Sequence, residues 1–280
     1  MGSFDGKVAI VTGGANGIGK AQVTALVREG CKVVINDHGT RPDGAGSDPS
    51  MATRLAAELG SATLANTEDV SQRDGVDRLM QAALERFGRV DILIHGVGFL
   101  CDQPLVELDD ASWERTQAGI LRSTYLCIQA AARHMIARGG GGRIITTSSL
   151  IGLVGGAGMP AYAAAKAAIY GLTRVASMEL GTHGITANVL SPIAYTRLTA
   201  ALPVMAHTPN AASIFSPDFV ADVTLFLASD AAANVTGTIV DVQGRQVSLM
   251  RMTQGGGVLP RGDRWSVDEL RERWAEISAS

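Results

Sequence analysis

Cysteine, histidine and long apolar runs are all scarce in this chain of 280 residues. Its three cysteines, Cys31, Cys101 and Cys127, are an odd and scattered set, so no disulfide framework is predicted and we expect reduced thiols. They and the five histidines lack the spacing of a ligand cluster, which argues against a metal site. The first residues lack the apolar region of a signal peptide, and apolar runs elsewhere are too short for a membrane span. We therefore expect a cytoplasmic location, without metal or membrane.

A concentration of charge of one sign is also lacking. The formal net charge is −3 and is spread along the chain, so neither nucleic acid nor a membrane surface is implied as a partner. Hydrophobic residues make up 46% of the chain and charged residues 18%, an ordinary composition for a globular protein. A chain of this size accommodates one large α/β domain.

Short β-branched runs alternate with helical stretches from KVAIVT at residues 7–12 to TGTIVDVQG near residue 240. This alternation predicts a single Rossmann-type α/β domain, a doubly wound parallel sheet of about seven strands with helices on both faces. We expect this dinucleotide-binding domain to span residues 1–250. Residues 193–215 show no clean period and are interpreted as a substrate lid within it. A polar tail, residues 251–280, is expected to carry a short helix.

A glycine-rich turn, GGANGIG, joins the first predicted strand to the first predicted helix. Gly13, Gly17 and Gly19 allow the backbone to approach a pyrophosphate, and the helix N-terminus offers free N–H groups and the positive end of its dipole. Glycine turns are frequent on their own. The flanking strand and helix are what favour a dinucleotide site here.

Asp37 ends the second predicted strand, KVVIND. A carboxylate at this position accepts hydrogen bonds from the adenine ribose and repels a 2′-phosphate, which favours NAD over NADP. The alternative is an ordinary loop or capping aspartate. Arg41 follows closely and offers a contact to a phosphate, so NADP is less favoured rather than excluded.

Ser149, Tyr162 and Lys166 are the candidate catalytic residues. Ser149 ends the run RIITTSS, and Tyr162 and Lys166 are spaced to share one face of the Ala-rich helix that follows. A nearby ammonium is expected to lower the pKa of the phenol, and Ser149 can hydrogen-bond a substrate oxygen beside it. Tyr-x-x-x-Lys is also common on surface helices. The coincidence of these residues with the glycine turn, at the carboxyl ends of predicted strands, supports a site.

Five motifs together resemble the short-chain dehydrogenase/reductase family over about residues 5–245: TGGANGIG at 12–19, Asp69-Val70, Ser149, Tyr162-x-x-x-Lys166 and NVLSP at 188–192. The resemblance implies that Tyr162 is the general acid/base, that Lys166 lowers its pKa and holds the nicotinamide ribose, and that Ser149 orients the substrate carbonyl. It implies hydride transfer between NAD and a secondary alcohol or ketone, and a homotetramer or homodimer. The residues expected to contact the cofactor are Gly13, Asn16, Gly17, Ile18, Gly19, Asp37, Asp69, Val70, His95, Tyr162, Lys166, Ile193 and Thr196.

A narrower resemblance connects VVINDHG, its Gly/Asp-rich insertion and SPIAYTRLT to the (3R)-hydroxyacyl-CoA dehydrogenase unit of peroxisomal multifunctional enzymes and its stand-alone bacterial relatives. It implies a 3-hydroxyacyl thioester or a bulky alicyclic or steroid-like alcohol as the small-molecule substrate.

Two departures from the family pattern leave alternatives open. The usual Asn-Asn-Ala-Gly after the fourth strand is His95-Gly96-Val97-Gly98 here, and Ile120 stands where the family has an asparagine, in a predicted helix from Ala111 to Ala137. His95 is interpreted as replacing one hydrogen bond, or as a structural imidazole. The alternative function is a cofactor-binding homologue with altered, non-redox or lost activity. Dehydration or epimerisation on the same scaffold is not distinguished.

Overall fold

The computed structural model describes residues 4–254 and 256–278, and within them eight strands form one sheet in the order β3-β2-β1-β4-β5-β6-β7-β8. Neighbouring strands from β3 to β7 pair in parallel. The strands are β1 Val8–Thr12, β2 Lys32–Asn36, β3 Thr63–Asn66, β4 Ile92–His95, β5 Gly142–Thr147, β6 Ile185–Ile193, β7 Ile239–Gln243 and β8 Gln246–Met250. The helices are α1 Gly17–Arg28, α2 Ser50–Leu59, α3 Arg73–Phe87, α4 Asp110–Thr116, α5 Ser123–Arg138, α6 Ile151–Val154, α7 Pro160–Leu180, α8 Pro203–Ala206, α9 Ala211–Ile214, α10 Pro217–Ala228 and α11 Val267–Ser278.

Helices cover both faces of the sheet, as the alternating pattern predicts. All five residues of β1 are buried, and consecutive residues point to opposite faces. Val11 packs into one core with side chains of α1, α2 and α10, while Ile10 packs into a second core with side chains of α3, α5 and α7. Continuous apolar strands are required because both faces are removed from water. The doubly wound fold is confirmed.

The strand count differs by one from the prediction of about seven. The additional strand, β8, follows β7 after Gly244 and Arg245 and lies at the edge of the sheet. Its residues are mostly exposed. Its sequence, QVSLM, does alternate polar and apolar residues, so a short strand signal is present there beside the seven predicted strands.

The long helix predicted over Ala111–Ala137 is interrupted. α4 and α5 are separated by a π-helical segment, Gln117–Arg122, in which the backbone turn is wider than in an α-helix. The Ser123 hydroxyl lies 2.6 Å from the Gly119 carbonyl oxygen, and the Thr124 hydroxyl lies 2.6 Å from that of Ile120. Side-chain hydroxyls therefore donate hydrogen bonds to carbonyl groups of the widened turn. Apolar periodicity does not reveal such bonds.

Residues 211–228 are apolar and long enough to count as a candidate membrane span by composition alone. In the structure Ser216 caps a new helix, α10, by accepting a hydrogen bond from the Asp218 amide. The inner face of α10 packs on α1, where the Gln22 amide donates to Thr224 Oγ1 over 2.9 Å. About a third of the apolar stretch, 33%, is buried in the structure.

Residues from Met250 onward form a compact unit separate from the residues up to Leu249. The unit contains α11, close to where the sequence predicts a helix in the tail. Within it, Arg273 pairs with Glu269 at 3.0 Å and Glu276 at 2.9 Å, and Arg261 pairs with Glu272 at 2.9 Å.

Candidate active site

A cleft runs along the carboxyl ends of the parallel strands, where ligands bind in doubly wound folds. Most of the residues predicted to contact a cofactor line it: Gly13, Asn16, Gly17, Ile18, Gly19, Asp37, Asp69, Val70, Tyr162, Lys166 and Thr196. Ile193, also predicted as a cofactor contact, does not line it, although its neighbours Pro192 and Ala194 do. The structure gathers at one place residues as far apart in the chain as Gly13 and Thr196.

The glycine turn is formed by close backbone approaches that exclude larger side chains. A Cβ atom on Gly19 would lie 2.0 Å from the Gly13 carbonyl oxygen, and one on Gly17 would lie 2.9 Å from the Thr196 side chain. Gly17 also adopts a φ of +48°, which favours glycine. The start of α1 is thereby held open toward the cleft, with Asn16 and Ile18 on its rim.

Two observations test whether this cleft fits a dinucleotide. The N-terminus of α1 faces the cleft with no acidic residue in its first turn, as an anionic pyrophosphate requires. Deeper in the cleft, the buried Thr147 hydroxyl has no hydrogen-bond partner among the described residues. A buried hydroxyl without a partner is costly, so this group is suited to a bound ligand. The residues present fit a dinucleotide.

Asp37 is nearly buried at the end of β2 and is fixed from two directions. Its Oδ2 accepts a hydrogen bond from the Ala15 amide at 3.0 Å, and its Oδ1 accepts one from the Gly39 amide at 2.9 Å. A carboxylate offers about four acceptor positions, so each oxygen retains one. Asp37 therefore lies in the cleft, tied to the glycine turn and able to accept ribose hydroxyls.

Tyr162 and Lys166 line the cleft, and Ser149 lies beside Tyr162 without lining it. The Ser149 side chain faces the Tyr162 hydroxyl, and the Lys166 ammonium lies 5.6 Å from the centre of the tyrosine ring. Lys166 is 2% exposed and donates to the Thr147 carbonyl at 2.9 Å and to the Val97 carbonyl at 3.4 Å. The Tyr170 hydroxyl donates to the Ser149 carbonyl at 2.8 Å and holds that residue in place. The predicted catalytic residues are thus neighbours.

The expected lowering of the pKa of Tyr162 is not found in this structure. Desolvation of the phenol raises its pKa to about 12, although the Ser149 side chain acts in the opposite direction. Burial also lowers the pKa of Lys166 from 10.5 to about 7. The sequence pattern conveys spacing but not depth, so it does not reveal this desolvation.

The pKa of Lys166 implies a specific dependence of stability on pH. Its pKa in the folded protein, about 7, lies below the 10.5 of a free lysine, so the unfolded chain binds more protons between these values. The contribution of Lys166 to stability therefore rises as the pH increases from 7 to about 10.5. In urea unfolding at several pH values, wild type should gain stability over this window relative to Lys166→Met.

The exposed Lys20 provides the matched control. Lys20→Met also removes one positive charge, but that ammonium is half exposed and pairs with Glu58 at 3.5 Å. Its stability curve should run parallel to that of wild type from pH 7 upward. Parallel curves for Lys166→Met as well would contradict the lowered pKa.

His95 departs from its predicted role as a cofactor contact. Its ring is 1% exposed and lies behind the cleft, with Nδ1 at 2.8 Å from Thr12 Oγ1 and Nε2 at 3.1 Å from Ser123 Oγ. Burial, and secondly the charge of Lys166, lower its pKa to about 3. The prediction of a cofactor contact is therefore corrected to a neutral structural imidazole, and the backbone of Gly96–Gly98 lines the cleft instead.

Ile120 is fully buried in the π-helical segment. It packs with Phe99, Ala165 and Ile169 in a small apolar cluster on which Tyr162 also rests. Its side chain cannot hold a water as an asparagine would. The Lys166 ammonium is held instead by the two backbone carbonyls described above.

Several cleft residues were not predicted from the sequence, namely His38, Thr147, Arg115 and Arg197. Arg197 donates to the Thr40 carbonyl at 2.8 Å, and the Leu100 amide donates to the Pro42 carbonyl at 2.9 Å. These bonds connect the loop after Asp37 to segments on both sides of the cleft. The position of Thr147 as the last residue of β5 was an available signal, whereas nothing in the sequence marks the two arginines.

A cleft that fits a dinucleotide, next to a buried Tyr–Lys pair and a serine, is an arrangement typical of an oxidoreductase. Comparison with known proteins gives the narrower class. The sequence matches the short chain dehydrogenase family over residues 7–204. The chain belongs to the short chain dehydrogenase family and is an enzyme of that oxidoreductase class.

Relatives narrow the resemblance further. The chain is 39% identical over 256 residues to hydroxyacyl-CoA dehydrogenase ChsB1 of Mycobacterium tuberculosis, covering 88% of this chain and 80% of that protein. It is 39% identical over 249 residues to cis-4-hydroxycyclohexanecarboxylate dehydrogenase of Sinomonas cyclohexanicum, covering 86% and 97%. It is 32% identical to peroxisomal multifunctional enzyme A of Dictyostelium discoideum, covering 99% of this chain but 61% of that protein. The resemblance to multifunctional enzymes and their bacterial relatives is confirmed.

A solved structure of the same fold contains a bound nicotinamide cofactor. The 3-ketoacyl-(acyl-carrier-protein) reductase of Brucella melitensis, complexed with NADH, superimposes with a TM-score of 0.76 at 28% identity. The match covers 86% of this chain and 98% of that one. It supports a nicotinamide cofactor for this fold without distinguishing NAD from NADP.

Proposed function

We propose that this protein is an NAD-dependent dehydrogenase that interconverts a secondary alcohol and a ketone. The observation that carries the proposal is the proximity of Tyr162 and Lys166, with Ser149 beside them, in a cleft that also holds the glycine turn and Asp37. A bound NAD supplies the hydride acceptor, and its reduced form the donor. Asp37 favours NAD over NADP because its carboxylate repels a 2′-phosphate.

The chain's own residues position the substrate oxygen and move its proton. The Ser149 side chain faces the Tyr162 hydroxyl, so an oxygen placed between them meets two hydroxyl groups. With its pKa raised to about 12, the phenol of Tyr162 is protonated at neutral pH. This is the form that donates a proton to the oxygen of a carbonyl under reduction. Lys166 and the Thr147 hydroxyl are placed to hold the nicotinamide ribose.

For the substrate, we propose a 3-hydroxyacyl thioester or a bulky alicyclic or steroid-like alcohol. Two of the relatives above are named for a hydroxyacyl-CoA and for a hydroxycyclohexanecarboxylate. We assign substrate contact to residues 193–215 as a lid, which contains the short helices α8 and α9. We also propose that the dinucleotide-binding domain spans residues 1–250 and that residues 251–280 form a C-terminal tail.

We also propose that the enzyme assembles as a homotetramer or homodimer through α5 and α7. Large hydrophobic side chains on these helices are exposed, including Tyr125 at 42%, Val175 at 50% and Met178 at 62%. Exposed apolar faces of this kind mark contact surfaces. Light scattering would measure the assembly, and a monomer at micromolar concentration would contradict it.

The function is tested in two steps. Fluorescence titration with NADH and NADPH measures cofactor binding, and a panel of ketones, cyclic ketones and 3-ketoacyl thioesters then measures NADH oxidation. We expect NADH to bind at least about tenfold more tightly, the scale of one charge-assisted hydrogen bond. We expect oxidation on at least one carbonyl compound. Binding of NADH without turnover on any of them would contradict the redox function, and binding of neither would contradict the cofactor site.

A further inference from the structure

Two buried polar side chains outside the proposed chemistry meet behind the cleft. His95, at the end of β4, and Ser123, at the start of α5, are 1% and 0% exposed. Their side chains lie 3.1 Å apart, and the other ring nitrogen of His95 lies 2.8 Å from the Thr12 hydroxyl. A buried histidine bonded at both nitrogens connects three elements that are distant in sequence.

Hydrogen-bonding capacity fixes the direction of this chain of contacts. Ser123 has a single hydroxyl proton, and its shortest contact is the Gly119 carbonyl at 2.6 Å, an acceptor only. Ser123 must therefore accept from His95 Nε2–H. The imidazole is neutral, so Nδ1 is left as the acceptor for the Thr12 hydroxyl. Every polar atom in the chain from Thr12 to Gly119 then has a partner, in one arrangement.

The far end of this chain is the π-helical segment. Gly119 lies inside Gln117–Arg122, and its carbonyl accepts a hydrogen bond from the Ser123 hydroxyl. Because the His95 imidazole donates to that same hydroxyl, it fixes the widened turn to the end of β4. The side chain of Ile120, next to Gly119, has no polar group with which to make such a link.

The π-helical segment in turn contacts both sides of Tyr162. The Gln117 side chain donates to the Ala161 carbonyl at 2.9 Å, one residue before the tyrosine. Ile120 belongs to the apolar cluster on which the tyrosine ring rests. A displacement of the segment would therefore shift the backbone and the packing surface of Tyr162 together.

The near end of the chain is the cofactor turn. Thr12 precedes Gly13, and the Gly96 amide donates to the Thr12 carbonyl at 3.1 Å. A Cβ atom placed on Gly13 would come within 3.1 Å of the Gly96 backbone, so the two strand ends are closely packed. His95 is thus attached to the backbone that lines the cofactor cleft as well as to the segment beneath Tyr162.

We propose that His95 and Ser123 are positioning residues, whose hydrogen bond holds the π-helical segment and Tyr162 in register with the cofactor turn. The two departures from the family pattern, His95 and Ile120, then belong together. His95 supplies a polar contact to the π-helical segment that the side chain of Ile120 cannot make. This role rests on the proposed function for its kinetic consequences. Its structural part, the fixing of Gln117–Arg122, is independent of any substrate.

Two amide substitutions separate the bonds of His95. In His95→Gln the amide nitrogen reaches the place of Nε2 and keeps a donor for Ser123. In His95→Asn the shorter amide reaches the place of Nδ1 and keeps the contact with Thr12. We expect His95→Asn to lower kcat by at least about tenfold, since a displacement of about 1 Å costs up to about a hundredfold. We expect His95→Gln to stay within about threefold of wild type, and KM and NADH binding to change little in both.

Ser123→Ala provides a second route to the same bond. It removes the hydroxyl with little change in volume, so it decides the outcome even where the histidine variants fold poorly. We expect it to lower kcat as much as His95→Asn does, and the double variant to show no further loss, because both remove one contact. Equal kcat in wild type, His95→Asn and Ser123→Ala would overturn the proposal. So would a loss confined to His95→Gln.

Hydrogen exchange distinguishes failure of this proposal from failure of the proposed function. Peptides that cover residues 117–124 and 160–166 should exchange faster in His95→Asn and Ser123→Ala than in wild type and His95→Gln. This readout needs no substrate, so an enzyme without turnover contradicts the proposed function alone. Unchanged exchange in all variants would overturn the positioning role, even in an active enzyme.

Discussion

Replacement of Tyr162 by phenylalanine is expected to lower kcat by about 10²- to 10⁴-fold, the usual contribution of a general acid/base. The substitution removes the hydroxyl that faces the Ser149 side chain, while the ring retains its packing against the cluster around Ile120. The fold and the affinity for NADH should therefore be unchanged. Steady-state kinetics and NADH fluorescence titration measure the two quantities on the same preparation.

Tyr125→Phe is the matched control for that experiment. Tyr125 lies on α5 with its ring 42% exposed, and its hydroxyl accepts from the Gln129 side chain at 3.2 Å. Loss of this hydroxyl retains the ring, and with it the apolar contact proposed for α5, so kcat should stay within about twofold. A fully active Tyr162→Phe enzyme would remove the basis for assigning acid/base chemistry to this tyrosine.

Replacement of Asp37 by serine is expected to change the preference for NADH over NADPH by about a hundredfold. Hydrogen bonds to a charged group contribute about 1.5–3 kcal/mol, or roughly 10- to 150-fold in affinity, and NADPH is also relieved of repulsion at its 2′-phosphate. The dissociation constant for NADH should rise and that for NADPH should fall. Part of the loss comes from the Ala15 and Gly39 amides, which the carboxylate also holds.

Asp37→Asn and Asp43→Asn separate charge from geometry. Asp37→Asn keeps one acceptor oxygen and removes the charge, so it should relieve the repulsion of NADPH while preserving more of the NADH affinity than serine does. Asp43→Asn removes a charge from the same loop at an exposed side chain paired with Arg41 at 3.4 Å, and should change neither constant. An unchanged cofactor preference in both Asp37 variants would mean that the carboxylate does not contact the ribose.

Much of the fold and of the catalytic centre could be predicted because local rules apply to them. The glycine turn, the strand ends and the spacing of Tyr162 and Lys166 are set by short-range geometry, and all lie where the sequence places them. The α2 helix occurs at its predicted bounds, Ser50–Leu59. In contrast, β8 offers only a short alternation of polar and apolar residues, QVSLM, and apolar periodicity does not distinguish a π-helical turn from an α-helix.

The electrostatics of the site could not be predicted for a different reason. Spacing along a helix shows that Lys166 faces Tyr162, but not that both are deep enough for desolvation to dominate their pKa values. The function of His95 depended on partners 83 and 28 positions away in sequence, Thr12 and Ser123. Long-range contacts of this kind are decided by the tertiary structure. The sequence therefore showed that His95 departs from the family motif, but not which residues it contacts.

The burial of His95 has a consequence for the rate profile with pH. A bend near pH 6 in such a profile is ordinarily attributed to a histidine. Here the imidazole has its pKa lowered to about 3, so it stays neutral through the range in which the enzyme is assayed. A bend near neutrality would instead report Lys166, whose pKa is lowered to about 7 by burial. Kinetic titration of this enzyme thus becomes a direct measurement of the amine beside the phenol.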